Sequence, residues 1–136
     1  MLVMSDQEIL KRRNIRSFVV RSGRMTLNQQ KGWQEYWDDF GLELDGPPIE
    51  LSEVFGNNNP VVLEIGFGMG NSLFEMACAD PTSNFVGVEV HRPGVGALLS
   101  KAGEAELKNL RIYCCDAIEV INRILPAESI QRVQLY

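Results

Sequence analysis

Residues that commonly bind metals are scarce in this sequence. Its 136 residues include only three cysteines and one histidine. Cys78, Cys114 and Cys115 form no Cys-x-x-Cys pair, and adjacent cysteines do not easily present the facing Cβ vectors that a disulfide needs. The single histidine, His91, cannot complete a zinc site with them. We therefore expect neither metal nor redox chemistry, and we interpret the thiols as small core residues.

Other absences exclude further classes of protein. The chain has no uncharged apolar run near the roughly 18 residues needed to cross a bilayer, and acids stand where a secretory signal would be basic. The phosphate-binding pattern Gly-x-x-x-x-Gly-Lys-Ser/Thr is also missing. With 45% hydrophobic and 23% charged residues, the composition is typical of a globular domain. The sequence predicts a cytoplasmic protein with no membrane segment.

Charge is divided unevenly along the chain, whose net charge is −5. Residues 1–31 carry seven basic and two acidic residues, whereas the remaining 105 carry six basic and sixteen acidic ones. This asymmetry indicates a basic arm for a polyanion joined to an acidic body, although a solvated, unstructured N-terminus explains the composition more simply. We divide the chain into the arm (1–31), a helix and linker (32–60) and an α/β unit (61–136).

The α/β unit begins with an apolar run at 61–65. Further apolar runs at 85–90 and 110–115 predict buried strands, and 133–136 begins a fourth. Helical patterns separate these runs, which is typical of parallel βαβ units with right-handed crossovers. We therefore predict a doubly wound, mainly parallel Rossmann-like sheet, of which the chain holds the first four strands. Its first strand should be central, flanked by the second and the fourth.

Two of the predicted helices have clear ends. One helix should run from about Asn28 to Phe40, with Thr26 or Asn28 as its cap and aromatic residues at 3–4 spacing that form a packing face. The last one should carry apolar residues from Ile118 to Leu125 and stop at Pro126.

A glycine-rich turn follows the first strand of the α/β unit. Gly66, Gly68 and Gly70 lie where a strand turns into a helix, so that backbone amides can approach a ligand closely. The dinucleotide fingerprint would place its last glycine at position 71, which is Asn71 here. A tight turn without any ligand remains the alternative.

Three acids strengthen the case for a ligand. Glu64 lies in the first strand, Glu89 near the end of the second and Asp116 just past the third. Ligands of open α/β sheets bind beyond the carboxyl ends of the strands, so these acids should border one crevice. In that crevice Glu89 is suited to accept from ribose hydroxyls, Asp116 from the exocyclic amine of adenine, and Glu64 to pair with an ammonium group. A ligand that carries all three groups is S-adenosylmethionine, which we therefore favour. Asp116 could instead cap a helix. His91 either lines the crevice or, in the interpretation that we favour, fixes the loop at a helix start.

The sequence resembles the bacterial tRNA (guanine-N7)-methyltransferases over roughly residues 12–136. The narrowest matches are the run from Gly87 to Gly96, which contains His-Arg-Pro-Gly-Val-Gly, and the arm segment Ile15-Arg16-Ser17-Phe18. Further matches are Arg21, Gly23-Arg24-Met25-Thr26, Tyr36-Trp37, residues 63–70, Asn109-Leu110-Arg111 and Cys115-Asp116-Ala117.

The resemblance implies an S-adenosylmethionine-dependent enzyme that methylates N7 of a guanosine in the tRNA variable loop. It carries cofactor contacts onto Glu64, Glu89 and Asp116, and it makes the arm a tRNA-contacting surface with Arg16, Arg21 and Arg24 as first candidates. Arginines there would supply phosphate contacts. Alternatives are a methyltransferase for protein or small molecules, which the arm argues against, and a non-catalytic RNA-binding module with a vestigial fold.

The chain departs from the family after its predicted fourth strand. The family assigns catalysis to an aspartate in a Phe-Pro-Asp-Pro-Trp segment there, and the present sequence ends at Tyr136. We therefore expect no catalytic residue among these residues and no methyl transfer by this polypeptide alone. We also expect an exposed fourth strand, with Val133 and Leu135 uncovered, through which copies could pair or aggregate.

Overall fold

The computed structural model describes residues 25–125 and 130–135. The predicted arm contacts Arg16, Arg21 and Arg24 lie outside this range. Among the described residues, no helix is both long enough and apolar enough to cross a membrane.

The first described helix, α1 (Leu27–Phe40), begins at a capping box. The Thr26 hydroxyl accepts from the Gln29 amide at 3.1 Å, and the Gln29 side chain accepts from the Thr26 amide at 2.9 Å. Thr26 is thus the cap, and the last residues of the predicted arm belong to this helix. Trp33 and Trp37 are buried and stacked with ring centroids 4.8 Å apart, so the aromatic face packs as predicted.

Strands and helices then alternate along the chain. The elements after α1 are β1 (Ile49–Glu50), α2 (Leu51–Phe55), β2 (Val61–Ile65), α3 (Asn71–Ala79), β3 (Asn84–Val88), α4 (Arg92–Glu104), β4 (Leu110–Tyr113), α5 (Ala117–Ile121), β5 (Ile124–Leu125) and β6 (Ile130–Leu135).

The main sheet has four parallel strands in the order β4-β3-β2-β6. In register, Leu63 of β2 lies between Val86 of β3 and Val133 of β6. The first strand of the α/β unit is therefore central and flanked by the second and the fourth, as predicted. This is the Rossmann-like arrangement, and it brings the carboxyl ends of β2, β3 and β4 to one edge.

The core forms two layers because side chains alternate across each strand. Val62 points toward α1, α3 and α4, where it joins Trp33 and Leu73, while Leu63 points to the opposite face with α2 and α5. Helices α1 and α4 pack closely through glycines: a Cβ on Gly96 would lie 2.5 Å from the Gln29 carbonyl oxygen. Only hydrogen fits at this contact, which explains one glycine of the His-Arg-Pro-Gly-Val-Gly segment.

The last predicted helix is shorter than its apolar pattern indicated. Helix α5 ends at Ile121, and Ile124–Leu125 pairs in parallel with Ile49–Glu50 instead of continuing the helix. Arg123 takes part in this pairing: its carbonyl accepts from the Ile49 amide at 3.1 Å, and its guanidinium donates to the Pro47 carbonyl at 3.3 Å. A partner distant in sequence thus overrides the local helical preference.

The predicted fourth strand is β6, which begins at Ile130 and is the outermost described strand next to β2. Val133 is 53% exposed, which confirms that its side chain is uncovered. The side chain of Leu135 lies outside the described part of the chain.

Candidate functional site

The glycine loop, which we define as Gly66–Gly70, connects β2 to α3. Its three glycines all have positive φ, with values of 76°, 64° and 79°, a conformation that other residues adopt only under strain. The Gly66 amide donates to the Val88 carbonyl at 2.8 Å, and the Gly70 amide donates to the Phe67 carbonyl at 3.0 Å. The loop is therefore a defined turn whose amides lie at the carboxyl edge of the sheet.

Glu89 lies one residue beyond β3, where its amide donates to the Tyr113 carbonyl at 3.1 Å. Its carboxylate accepts three backbone hydrogen bonds. Oε1 accepts from Gly68 at 2.8 Å, and Oε2 accepts from Val90 at 2.8 Å and His91 at 3.0 Å. A carboxylate offers about four acceptor positions, so one remains on Oε1. Glu89 thus fastens the glycine loop and keeps an acceptor for a ligand.

Helix α4 approaches the same loop from its first turn. A Cβ on Gly94 would lie 2.0 Å from the Gly68 carbonyl oxygen. Any side chain at this position would therefore force the backbone of the helix or of the loop to move. This contact explains the other glycine of the His-Arg-Pro-Gly-Val-Gly segment. The backbone of His91 supports the helix start, because its carbonyl accepts from the Val95 amide at 3.2 Å, whereas its exposed side chain makes no cap hydrogen bond.

Glu64 is fully buried in the central strand, paired in register with Gly87 of β3. It alternates with Leu63 and therefore lies on the face that holds α3 and α4. Burying a carboxylate is costly unless charges or hydrogen bonds compensate it. An apolar residue at this position of the central strand would cost less free energy to bury. The presence of an acid therefore indicates a role for Glu64 beyond packing.

Asp116 follows the end of β4 and is the N-cap of α5. Its Oδ1 accepts from the Ile118 amide at 2.9 Å, so the capping role that the sequence left open is realised. The residue is exposed at the same sheet edge as Glu89. The three predicted acids are thus placed on neighbouring strands, two at strand ends and Glu64 inside β2.

Sequence reasoning missed the exposed apolar residues of this edge. Met69 is 44% exposed, Val90 64% and Ile118 71%, and these are three of the six large hydrophobic residues exposed in the described part of the chain. Each belongs to a different strand-end segment, directly beside the glycine turn, Glu89 or Asp116. Exposed apolar side chains among a few polar groups are typical of ligand sites. The pattern of an acid followed within two residues by a branched apolar residue could have identified two of them.

The cysteines divide into two environments. Burial raises the pKa of Cys114 and of Cys115 to about 11, and the Cys114 Sγ lies 4.0 Å from the Val90 carbonyl oxygen beside the site. Cys78 is exposed on α3, so the expectation that it packs in the core is wrong. The buried positions of that helix are Leu73 and Ala77, and Cys78 follows them on the solvent side.

A cavity of about 510 Å³ lies at the opposite end of the sheet. It is formed where α1 and α4 end and β4 begins, and none of the predicted site residues borders it. Its lining comprises Tyr36, Asp39, Phe40, Gly103, Glu106, Leu107, Lys108 and Arg111.

Comparisons with known proteins agree with the resemblance seen in the sequence. A family model described as "Putative methyltransferase" matches residues 58–136. The chain is 54% identical over 124 residues to the "tRNA (guanine-N(7)-)-methyltransferase" of Aliivibrio fischeri (strain MJ11), covering 91% of this chain and 52% of that protein. It is 48% identical over 130 residues to the protein of the same name from Saccharophagus degradans, covering 96% and 57%.

A solved structure described as "Structure of an antibiotic related Methyltransferase" matches with a TM-score of 0.48 and 19% identity, covering 62% of this chain and 43% of that one. The chain spans about half the length of the curated relatives it matches. A Rossmann-like sheet, a family match over more than half of the chain and these relatives lead to one conclusion: the chain belongs to this methyltransferase family.

Proposed function

We propose that this chain provides the cofactor-binding part of a methyltransferase that transfers the methyl group of S-adenosylmethionine to N7 of a guanosine in the variable loop of tRNA. The names of its relatives support the reaction and the tRNA substrate. The site at the carboxyl edge supports the cofactor. Because tRNA is the proposed partner, we place the protein in the cytoplasm.

The cofactor proposal rests most on Glu89. Its carboxylate is held at the strand end by three backbone amides and keeps one acceptor position on Oε1. A ribose hydroxyl needs such an acceptor, and the adjacent Val90 offers an exposed apolar surface for a purine ring. Ile118 offers a second such surface beside Asp116, whose carboxylate suits the exocyclic amine of adenine.

The charges of the site favour a cationic ligand over a pyrophosphate. S-adenosylmethionine carries an ammonium and a sulfonium group, whereas Glu64, Glu89 and Asp116 are all acids on adjoining strands. In this proposal Gly66, Gly68 and Gly70 bring backbone close to the amino-acid part of the cofactor, and buried Glu64 acts from beneath them. Opposite charges in a partly desolvated crevice attract more strongly than in water.

The transfer requires little proton chemistry from the protein. The bound cofactor supplies a methyl group on a positively charged sulfur. Guanine N7 has a lone pair and no proton, so no general base is needed, and this chain's contribution is to hold the reacting groups in line and exclude water. We propose that the arm residues Arg16, Arg21 and Arg24 hold the tRNA through its phosphates.

Calorimetric titration of S-adenosylmethionine into the chain tests the proposal through Glu89→Gln. The glutamine side chain has only one accepting oxygen, so it cannot replace both oxygens of the carboxylate. We therefore expect binding of S-adenosylmethionine to weaken roughly 10- to 150-fold, the value of one charged hydrogen bond. Glu104→Gln, on the exposed end of α4, is the matched control and should bind as the parent does. Equal binding by the parent and Glu89→Gln would refute the site. Binding of tRNA without any binding of cofactor would support the RNA-binding module instead.

A further inference from the structure

One face of α4 lies along the glycine loop and contacts it at successive positions. Gly94 lies against the Gly68 carbonyl, and a Cβ on Gly70 would lie 2.9 Å from the Cβ of Leu98. Lys101 is next along the same face: its Nζ is 3.4 Å from the Met69 carbonyl oxygen. Positions spaced by four and then three residues share one side of a helix. The loop therefore rests on a continuous stripe of α4 that ends in a cation.

Lys101 also donates a hydrogen bond to the side-chain oxygen of Asn71. Asn71 is the first residue of α3, and it occupies the position where the dinucleotide fingerprint has its last glycine. The N-cap of α3 is Gly70, which has no side chain and so makes no side-chain cap hydrogen bond. The exit from the loop thus obtains its side-chain anchor from α4 and not from its own cap.

We propose that Lys101, paired with Asn71, is a positioning residue that holds the glycine loop at Met69 and at its exit, while the Glu89 carboxylate holds it at Gly68. The effect on cofactor affinity rests on the proposed function, whereas the effect on the loop does not. Lys101 is half-exposed and Asn71 exposed, so the pair contributes modestly. We expect its loss to weaken binding of S-adenosylmethionine about fivefold, the value of one typical hydrogen bond.

The competing explanation is that Lys101 is a surface lysine whose aliphatic stem covers apolar surface. Lys101→Met retains the stem and removes the donor, while Lys101→Arg restores a donor. Asn71→Ala removes the acceptor, and the double variant tests whether the two residues act together. Lys31→Met, on the exposed face of α1, is the control for loss of one positive charge.

Two measurements on the whole chain distinguish the effect on the loop from the effect on cofactor binding. Amide hydrogen exchange at Gly70, whose N–H is bonded within the loop, should accelerate about fivefold in Lys101→Met and Asn71→Ala without any cofactor. Calorimetry should show the same factor in the dissociation constant of S-adenosylmethionine, little further change in the double variant and recovery in Lys101→Arg.

Unchanged exchange at Gly70 in Lys101→Met would overturn the proposal, as would additive effects of the two substitutions. If the parent chain bound no S-adenosylmethionine, the proposed function would fail, and the exchange at Gly70 would still decide the role of Lys101. Faster exchange in Lys31→Met as well would show a general effect of charge and would also overturn it.

Discussion

Substitution of Gly94 by alanine tests how closely α4 approaches the glycine loop. The new Cβ would lie 2.0 Å from the Gly68 carbonyl oxygen and 2.9 Å from its carbonyl carbon. Real Cβ–oxygen contacts are at least about 1 Å longer, so either the helix or the loop must move. Inserting a methyl group into a packed contact costs roughly 1–3 kcal/mol, of which greater helix propensity returns at most about 1 kcal/mol.

Gly96→Ala is the matched comparison because it lies on the same helix and also meets a backbone carbonyl, that of Gln29 in α1, at 2.5 Å. Both variants should lower the free energy of unfolding by a similar amount, about 0–3 kcal/mol. Only Gly94→Ala displaces the loop, so it alone should weaken S-adenosylmethionine binding, by about tenfold.

Thermal unfolding and calorimetry on the two variants measure these quantities side by side. Parent-like stability and parent-like affinity in Gly94→Ala would show that the contact is absent, and the reasoning about the loop would fail. Equal losses of affinity in the two variants would show that helix packing in general, and not the loop, controls binding.

Two further predictions concern other parts of the chain. Asn109 donates from Nδ2 to the carbonyls of Ala77, Asp80 and Ser83, each at 3.0 Å, so Asn109→Ala should cost about 2–3 kcal/mol of unfolding free energy in denaturant titrations. The raised pKa of about 11 keeps the thiols of Cys114 and Cys115 protonated at pH 8. Iodoacetamide should therefore label exposed Cys78 first, and Cys114 and Cys115 only as the pH approaches 11, as read by peptide mass spectrometry. Early labelling of Cys114 would contradict its burial.

The proposed tRNA contacts of the arm make a prediction of their own. The dissociation constant for tRNA should rise steeply with salt if Arg16, Arg21 and Arg24 contact phosphates.

The strand order could be predicted from the sequence because each strand is a short apolar run bounded by turn residues and followed by a helical pattern. Val61 through Ile65 satisfied this rule, and the strand order typical of doubly wound sheets placed the second and fourth strands beside it. The last helix was predicted too long because Arg123 pairs with Ile49, a contact that local periodicity does not contain.

The same limit applies to the site. Glu64, Glu89 and Asp116 were visible as acids at strand positions, and the glycines as a turn. The contacts that define the loop were not visible, because Gly94 and Lys101 reach it from another helix. The exposure of Val90 and Ile118 was overlooked, since an apolar residue after a strand ordinarily packs into the core, although each closely follows one of the predicted acids.

Amide chemical-shift mapping tests the central claim, that the carboxyl edge of the sheet binds S-adenosylmethionine, most directly. Titration of the cofactor into the isotope-labelled chain should shift the amides of Gly66–Gly70, Val90 and Ile118 in a saturable manner. Those around the distant cavity, such as Leu107 and Lys108, should stay unchanged. Shifts confined to the cavity, or no saturable shifts at the glycine loop, would contradict the account.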